Sequence, residues 1–349
     1  MPAVTDTSSI VLVTGANGFV GTWIVGDLLK GGYSVRAAVR NEGRGKHLLD
    51  IYKSYGDKLK LKLVAVGDIS RSGAFDDAVK GVDAIIHTAS PVHLSADDPS
   101  ELIDPAVGGV EGILKSALKN GSDSLKRIVI TSSCAAIIAF SLTPVTISEA
   151  VWNEAPIKEC EEKGRDASSL AKYSASKTLA EKAAWAFYEK HKPEIKWDIS
   201  TINPPWVFGP VIHEVTTVDS LNSSSRFWHN AIVKEDFDGY SPLTTPGHGW
   251  VDVRDVATAH VRAMEVPSAG GERIIVSAGS FVWQDWLDVI SKLSPNPYPL
   301  RTLPRGTPGI CQRAITFDTS KEKRILDIKF RTMEEMARDV LADYERRGW

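Results

Sequence analysis

A glycine-rich turn near the N-terminus constrains the fold of this chain more than any other feature. Residues 14–21 read TGANGFVG, with glycines at the spacing G-x-x-G-x-x-G. A β-branched run precedes them, and residues 18–30 carry apolar side chains at helical spacing. Glycines between a strand and a helix let backbone amides approach a pyrophosphate and let the helix pack closely on the sheet. The sequence therefore predicts dinucleotide binding here, with contacts at Gly15, Asn17, Gly18, Phe19, Val20 and Gly21.

Short apolar strands alternate with helices along the first 205 residues. After residues 10–14, strands are predicted at 34–39, 61–66, 84–87, 127–130 and 197–202, and helices at 18–30, 47–54, 74–79, 104–119 and 173–191. Strands this short and this apolar are typical of a parallel sheet that helices cover on both faces. We therefore predict an α/β protein with a Rossmann-type, doubly wound parallel sheet.

The pattern changes after Pro205. Residues 211–225 are rich in Ser, Thr and Val without clear periodicity, and amphipathic helices are next predicted at 283–293 and 333–346. We therefore place the dinucleotide-binding Rossmann domain at residues 8–205, rejoined by parts of about 249–265. A smaller C-terminal substrate-binding lobe takes up most of residues 206–349.

Charge and cysteine content exclude several classes of partner. The net charge of −3 gives no basic surface for nucleic acid, and the longest apolar stretch, residues 128–140, is shorter than the roughly 20 residues of a membrane-spanning helix. Cys134, Cys160 and Cys311 are too few and too scattered for a disulfide framework or a metal site. We expect reduced thiols, no bound metal, no nucleic-acid or membrane partner, and a cytoplasmic location.

The residue that ends the second strand indicates which nicotinamide cofactor is bound. This position, about 20 residues past the glycines, faces the adenosine ribose, and here it is Arg40. A guanidinium there can pair with the 2′-phosphate of NADP, whereas NAD would favour an acidic residue. Arg44 and Lys46 follow and add charge, although all three residues would also suit a solvated turn. The sequence predicts NADPH as the cofactor.

Two further positions near the adenosine end are less specific. Arg36 lies in the middle of the second strand and is a weaker candidate for the 2′-phosphate. Asp68, followed by Ile69 after the third strand, could accept a hydrogen bond from the adenine amino group or could cap a helix. We include Asp68 and Ile69 among the predicted cofactor contacts.

The segment YSASK places a phenol and an ammonium four residues apart. On a helix, Tyr173 and Lys177 would emerge from the same face. Bringing a phenol pKa from about 10 to about 7 requires roughly 4 kcal/mol of preferential stabilisation of phenolate, which a fixed cation can help supply. Tyr173 would then donate a proton to a carbonyl oxygen. By itself the pattern is common on surface helices, so its weight depends on its surroundings.

Two other segments support a catalytic interpretation. Ser132 and Ser133 follow an apolar strand, at the edge of the sheet where doubly wound folds bind ligands. The Ser133 hydroxyl could hydrogen-bond a substrate oxygen as negative charge builds on it, while Ser132 would be structural. Residues 202–210, INPPWVFGP, form a rigid strand exit whose backbone could fix the nicotinamide carboxamide, with Pro204 and Val207 as contacts.

Together these motifs resemble a known family. TGANGFVG, SS, YSASK and INPPWVFGP, in this order and over nearly the whole chain, resemble the extended short-chain dehydrogenases/reductases. VRAAVR, HTASP and WVDVRDVATAH resemble the branch that contains dihydroflavonol and cinnamoyl-CoA reductases and the yeast and fungal NADPH-dependent aldehyde, methylglyoxal and ketone reductases. The sequence around the tyrosine, SSLAKYSASK, departs from the NWYCYxK of cinnamoyl-CoA reductases, which favours the fungal type.

The resemblance implies a mechanism and a set of site residues. Ser133, Tyr173 and Lys177 would form the catalytic triad, with Lys177 also bonding the nicotinamide ribose and Arg40 at the 2′-phosphate. NADPH would deliver hydride to the carbonyl carbon while Tyr173 protonates the oxygen. From HTASP we add to the cofactor contacts Thr88, Ala89 and Ser90.

The substrate is less well defined than the chemistry. Four aromatic residues either line an apolar substrate pocket or pack the core of the smaller lobe: Trp206, Phe208, Phe227 and Trp228. We expect a small-molecule carbonyl substrate and a monomer or homodimer. The alternatives are a dihydroflavonol or cinnamoyl-type reductase, a hydroxysteroid dehydrogenase, a nucleotide-sugar epimerase and a non-catalytic NADP-sensing regulator. Arg40 argues against the epimerase, and the intact YSASK argues against the regulator.

Overall fold

A seven-stranded parallel sheet forms the centre of the molecule. The computed structural model describes residues 3–56, 60–90, 96–138, 145–234, 248–299, 301–306 and 315–349. The strands are β1 Ile10–Thr14, β2 Ser34–Val39, β3 Leu61–Ala65, β4 Ala84–His87, β5 Arg127–Thr131, β6 Val145–Ile147, β7 Asp198–Asn203, β8 Trp206–Phe208, β9 His248–Asp252, β10 Arg273–Ile275, β11 Gly279–Phe281 and β12 Ile315–Phe317. The order in the large sheet is β10-β7-β5-β4-β1-β2-β3, with every neighbouring pair parallel.

Helices cover both faces of this sheet. They are α1 Phe19–Lys30, α2 Lys46–Ile51, α3 Lys53–Gly56, α4 Ser100–Asn120, α5 Ala155–Lys163, α6 Ser169–His191, α7 Ser223–His229, α8 Val253–Glu265, α9 Trp283–Ile290, α10 Ser320–Ile325 and α11 Met333–Arg347. The predicted α/β class and the doubly wound parallel sheet are confirmed. No helix among the described residues is long and apolar enough to cross a bilayer.

Alternation along the strands divides the core into two layers. In β1, Val11 and Val13 face a cluster formed with α1 and α8, while Leu12 faces the opposite cluster, formed with α4 and α6. Successive side chains of a strand point to opposite faces, so a wholly apolar strand must be covered twice. The chain order reverses between β1 and β4, which leaves a crevice at the carboxyl ends of these two strands.

A second, aromatic core lies beyond β7. Strands β8, β9 and β11 form a small sheet, parallel between β8 and β9 and antiparallel between β9 and β11. Helices α7, α9 and α11 pack around it with buried Trp228, Trp286 and Tyr344. Between these parts the chain returns to the large sheet, because α8 packs in the core beside α1 and β10 pairs with β7.

Three predicted helices are absent, divided or shortened in the structure. The helix predicted over 47–54 is divided at Tyr52 into α2 and α3. Residues 74–79 form a series of turns with hydrogen bonds such as Ala74 N–H to the Arg71 carbonyl and Asp76 N–H to the Gly73 carbonyl. Gly73 has φ +76°, which interrupts a right-handed helical path at its start. The helix predicted over 283–293 ends at Ile290. Cys134 and Cys160 are buried free thiols, and Cys311 lies outside the described residues.

Candidate active site

The glycine turn between β1 and α1 is packed so closely that side chains do not fit. Gly15 has φ +64°, and a Cβ there would lie 2.9 Å from the Ala89 backbone nitrogen. A Cβ on Gly21 would lie 2.2 Å from the Gly15 carbonyl oxygen. The turn therefore contacts the segment that follows β4, and α1 contacts the turn. Gly15 and Gly21 thus take the positions of the tight turn and of close helix packing that the first and third glycines have in a dinucleotide-binding motif.

Helix α1 points its N-terminus at this crevice. Gly18 precedes the helix, and no side chain caps its first turn. The first N–H groups of a helix lack intrahelical partners and carry partial positive charge, so an uncapped start suits a bound phosphate. The Asn17 side-chain amide donates to the Arg44 carbonyl at 3.0 Å, which ties the turn to the segment after β2.

Three basic side chains surround the end of β2. Arg40, Arg44 and Lys46 are exposed, and the Asn41 side chain accepts from the Arg44 backbone N–H at 3.2 Å. Free, clustered cations at this position fit a 2′-phosphate. Arg36 does not join them, because its Nη1 donates to the Ala78 and Lys80 carbonyls at 2.8 and 2.6 Å.

Asp68 is engaged in a local turn. Its exposed carboxylate accepts from the Ser70 backbone N–H at 3.0 Å and from the Ser70 hydroxyl at 2.7 Å. These bonds lower the pKa of the Asp68 carboxyl. Ile69 follows it and is partly buried. A contact of either residue with adenine stays a prediction.

The segment after β4 lies against the glycine turn. The Thr88 hydroxyl donates to the Thr14 carbonyl at 2.7 Å, and the Ala89 N–H donates to the Thr14 hydroxyl at 3.2 Å. Ser90 comes next, and its hydroxyl accepts from the Lys177 ammonium at 3.1 Å. This segment therefore connects the turn that fits a pyrophosphate to the Tyr173/Lys177 helix.

Ser133, Tyr173 and Lys177 are brought together at the carboxyl edge of the sheet. Tyr173 and Lys177 lie on α6, with the Lys177 nitrogen 5.8 Å from the centre of the Tyr173 ring. Ser133 follows β5, and its hydroxyl lies near enough to the Tyr173 phenol to lower the pKa of that phenol. Helix α6 begins at Ser169 because the Ser168 side chain caps it, accepting a hydrogen bond from the Ala171 N–H at 3.1 Å.

Burial dominates the electrostatics of this pair. It raises the pKa of the Tyr173 phenol above its ordinary value, although the nearby Ser133 hydroxyl opposes the rise. It lowers the pKa of Lys177 to about 8, since the side chain is only 8% exposed. The predicted lowering of the Tyr173 pKa is wrong for the free protein, because desolvation of phenolate is the largest influence. Tyr173 is therefore a neutral phenol at neutral pH and carries a proton to donate.

The strand exit after β7 lies beside Ser133. The Pro204 carbonyl accepts from the Cys134 N–H at 2.9 Å, and the Asn203 side-chain amide donates to the Ser133 carbonyl at 3.2 Å. Val207 is partly exposed in β8. A carbonyl oxygen can accept a second hydrogen bond, so the contact of Pro204 with the carboxamide, like that of Val207, stays a prediction.

The four aromatic candidates fall into two groups. Trp206 and Phe227 retain exposed surface and lie 5.1 Å apart between ring centres. Phe208 and Trp228 are each 1% exposed inside the aromatic core, so we assign them to packing rather than to substrate contact.

Sequence reasoning missed His248, whose ring centre lies 6.0 Å from that of Trp206. Burial lowers the pKa of His248 to about 4.

Sequence reasoning also missed a buried carboxylate, Glu181, one turn beyond Lys177 on α6. The sequence could have indicated Glu181 by its spacing, because Tyr173, Lys177 and Glu181 are each four residues apart and lie on the same side of the helix. Among the described residues, no group of histidine, cysteine and carboxylate side chains could hold a metal ion.

The chain is similar over nearly its whole length to several named reductases. The NAD dependent epimerase/dehydratase family matches residues 11–279. Ketoreductase azaE of Aspergillus niger is 35% identical over 348 residues, which cover 95% of this chain and 96% of that protein. The NADPH-dependent methylglyoxal reductase GRE2 of Saccharomyces cerevisiae is 34% identical over 342 residues, 95% and 96% of the two chains. The crystal structure of yeast methylglyoxal/isovaleraldehyde reductase Gre2 complexed with NADPH superposes with a TM-score of 0.82 at 33% identity, covering 97% of this chain and 99% of that one.

Proposed function

The chain belongs to the NAD dependent epimerase/dehydratase family, as an extended short-chain dehydrogenase/reductase, and from this we propose that it reduces an aldehyde or ketone with Tyr173 as proton donor. It is an NADPH-dependent oxidoreductase that acts on carbonyl compounds, as its ketoreductase and methylglyoxal reductase relatives are named. The observation that carries the assignment of roles is the grouping of Ser133, Tyr173 and Lys177 at the carboxyl edge of the sheet, beside the glycine turn.

The residues around the crevice fit NADPH. The crowded glycines and the uncapped start of α1 suit the pyrophosphate, and Arg40, Arg44 and Lys46 suit the 2′-phosphate. When bound, NADPH supplies the hydride that reduces the carbonyl carbon. An epimerase that used NAD would not need the three cations at the end of β2.

Tyr173 holds the proton that the reduced oxygen needs. The phenol is neutral at pH 7, so Tyr173 carries the proton before the reaction begins, although burial raises its pKa and makes it a weaker acid in the free protein. The Ser133 hydroxyl, which lies near the Tyr173 phenol, would share the substrate oxygen with it and hold that oxygen at the phenol while negative charge develops.

Lys177 acts on the charge that Tyr173 carries once the proton has left. The Lys177 nitrogen lies 5.8 Å from the centre of the Tyr173 ring, so its positive charge would stabilise the phenolate that proton transfer leaves. Two unit charges about 6 Å apart attract each other by about 3 kcal/mol at an effective dielectric constant near 20. The ammonium is fixed by Ser90, so it does not need to reorient during proton transfer. Its role as a ligand of the nicotinamide ribose belongs to the same proposal.

The exposed aromatic pair suggests the kind of carbonyl compound. Trp206 and Phe227 offer an apolar wall, and the neutral His248 imidazole beside Trp206 can donate or accept one hydrogen bond. We infer a substrate with an apolar substituent next to its carbonyl group. The cytoplasmic location and the monomer or homodimer state stay predictions.

Replacing Tyr173 by phenylalanine tests the proton-donor role. Turnover of NADPH with a panel of aldehydes, α-ketocarbonyls and aryl ketones should fall about 10²- to 10⁴-fold, since general acid catalysis contributes that much. The dissociation constant of NADPH, measured by fluorescence titration, should stay within about twofold because the phenol is not a phosphate contact.

Tyr188→Phe is the matched control, because Tyr188 is a buried tyrosine of the same helix, away from the Ser133 contact. This variant should keep wild-type turnover. If Tyr173→Phe keeps turnover, the proton-donor role is wrong. If the wild-type protein instead interconverts UDP-sugars with bound NAD, the reductase proposal fails.

A further inference from the structure

A buried carboxylate lies beneath the catalytic serine. Glu181 is 2% exposed, and its two oxygens accept five hydrogen bonds from other side chains. One donor, Trp185 Nε1 at 3.4 Å, belongs to the same helix. The other donors and their distances are Ser132 Oγ at 2.5 Å, Asn203 Nδ2 at 2.7 Å, Arg273 Nε at 2.6 Å and Thr201 Oγ1 at 3.1 Å. These four belong to β7, to the start of β10 and to the residue that follows β5, so one carboxylate joins three strands to α6.

Arg273 neutralises this carboxylate and extends the network. Its Nη1 donates to the Glu149 carbonyl at 2.6 Å, and its guanidinium carbon lies 3.5 Å from the centre of the Trp152 ring. A buried ion pair gains little net stability over apolar packing of the same volume. The ion pair by itself therefore does not indicate a catalytic role, which has to be argued from what else Glu181 contacts.

The network leads directly to Ser133. Glu181 holds the side chain of Ser132, the preceding residue, and through Asn203 Nδ2 it also holds the Ser133 carbonyl, 3.2 Å from that nitrogen. From the other face of the sheet, His260 Nε2 and Thr131 Oγ1 are hydrogen-bonded at 2.7 Å. The end of β5 is thus held by side chains from both faces immediately before the serine.

We propose that Glu181 is a positioning residue that, through Ser132 and Asn203, fixes the Ser133 hydroxyl at the geometry in which it shares the substrate oxygen with Tyr173. This inference rests on the proposed reductase function. Displacing a catalytic group by about 1 Å can cost about 100-fold in rate, so the orientation of Ser133 matters more than the charge of Glu181.

The chain provides a matched control at the opposite edge of the same sheet. Arg127 and Asp198 begin β5 and β7 and form a buried bidentate pair, with Nε to Oδ1 at 2.6 Å and Nη2 to Oδ2 at 3.0 Å. Glu181→Gln and Asp198→Asn each convert one buried, arginine-paired carboxylate into an amide. Both should lower the melting temperature, but only Glu181 is linked to Ser133.

A double-mutant cycle with Ser133→Ala tests the proposal. Glu181→Gln should lower kcat about 10- to 100-fold with the NADPH dissociation constant within about twofold, whereas Asp198→Asn should keep kcat within about twofold. In the Ser133→Ala background, Glu181→Gln should cost less than about threefold further, because the group it positions is gone. An undiminished loss in that background, an unchanged kcat in Glu181→Gln, or an equal loss in Asp198→Asn overturns the inference.

A milder variant and a structural readout keep the test decisive. If Glu181→Gln does not fold, Ser132→Ala removes one hydrogen bond of the network and should lower kcat at least about threefold; an unchanged kcat overturns the inference. Crystal structures of the variant and the wild type should differ in the distance from Ser133 Oγ to the Tyr173 hydroxyl. A displaced serine in a protein without reductase activity would reject only the proposed function, and an unmoved serine in an active enzyme would reject only the positioning role.

Discussion

Replacing Lys177 by methionine should make the free protein more stable while it abolishes turnover. The folded protein buries this ammonium with Ser90 as its hydrogen-bond partner, and burial lowers its pKa from 10.5 to about 8. At 1.36 kcal/mol per pKa unit, keeping the charge in the folded state at pH 7 costs about 3 kcal/mol. Methionine has a similar length and no charge, but it leaves the Ser90 hydroxyl unpaired, which costs about 1 kcal/mol. We therefore expect a net gain of about 2 kcal/mol in the free energy of unfolding.

The pH dependence gives this expectation a definite sign. Below pH 8 the folded and unfolded chains both hold the Lys177 proton, so the wild type carries the full penalty. Between pH 8 and 10.5 the unfolded chain keeps the proton that the folded chain has released, so the stability of the wild type rises with pH. The advantage of Lys177→Met should therefore be largest at pH 7 and disappear near pH 10.

Urea unfolding followed by tryptophan fluorescence, without NADPH, measures this difference at both pH values. Lys172→Met is the matched control, because Lys172 is 4% exposed on the same helix but donates to three carbonyls, those of Ala96, Asp97 and Arg165. It should lose about 2 kcal/mol or more, because those carbonyls lose a charged donor. A Lys177→Met variant that is less stable than the wild type at pH 7, or whose advantage persists at pH 10, would refute the reasoning.

Three other outcomes follow from the same site. Arg40→Asp should raise the KM for NADPH about 10- to 100-fold and remove the preference for NADPH over NADH, because a bidentate phosphate contact is lost. An unchanged ratio of the two KM values would reject the assignment of Arg40 to the 2′-phosphate. Gly21→Ala should weaken NADPH binding more than tenfold, because its Cβ would lie 2.2 Å from the Gly15 carbonyl oxygen. Gly108→Ala, which has open space around it in α4, should leave binding unchanged and add up to about 1 kcal/mol to the free energy of unfolding. Equal NADPH binding by the two variants would contradict this expectation. Finally, kcat/KM for NADPH should fall as pH rises above about 8, when Lys177 loses its proton in the free enzyme, and a flat profile to pH 10 would show that the ammonium is not needed.

The sequence determined the parts of this protein that depend on short-range patterns. The glycine turn was predictable because a strand, a tight turn and a helix follow one another within about 20 residues, and the seven-stranded parallel sheet follows from repeating that alternation. Tyr173 and Lys177 were recognisable as neighbours because four residues make about one helical turn. Residues 74–79 were misassigned even so, since their apolar spacing suits a helix while Gly73 turns the chain away from one.

The tertiary structure alone decided which groups meet and how burial changes them. Ser133 reaches Tyr173 across forty residues of chain, and Glu181 collects donors from three strands whose adjacency no local pattern specifies. The aromatic candidates also divide by burial, with Phe208 and Trp228 in the core and Trp206 at the surface. The raised pKa of Tyr173 also results from burial in the folded structure. The free energy of a charged group depends on how much water the whole fold excludes from it, and the spacing of residues along the chain does not specify that.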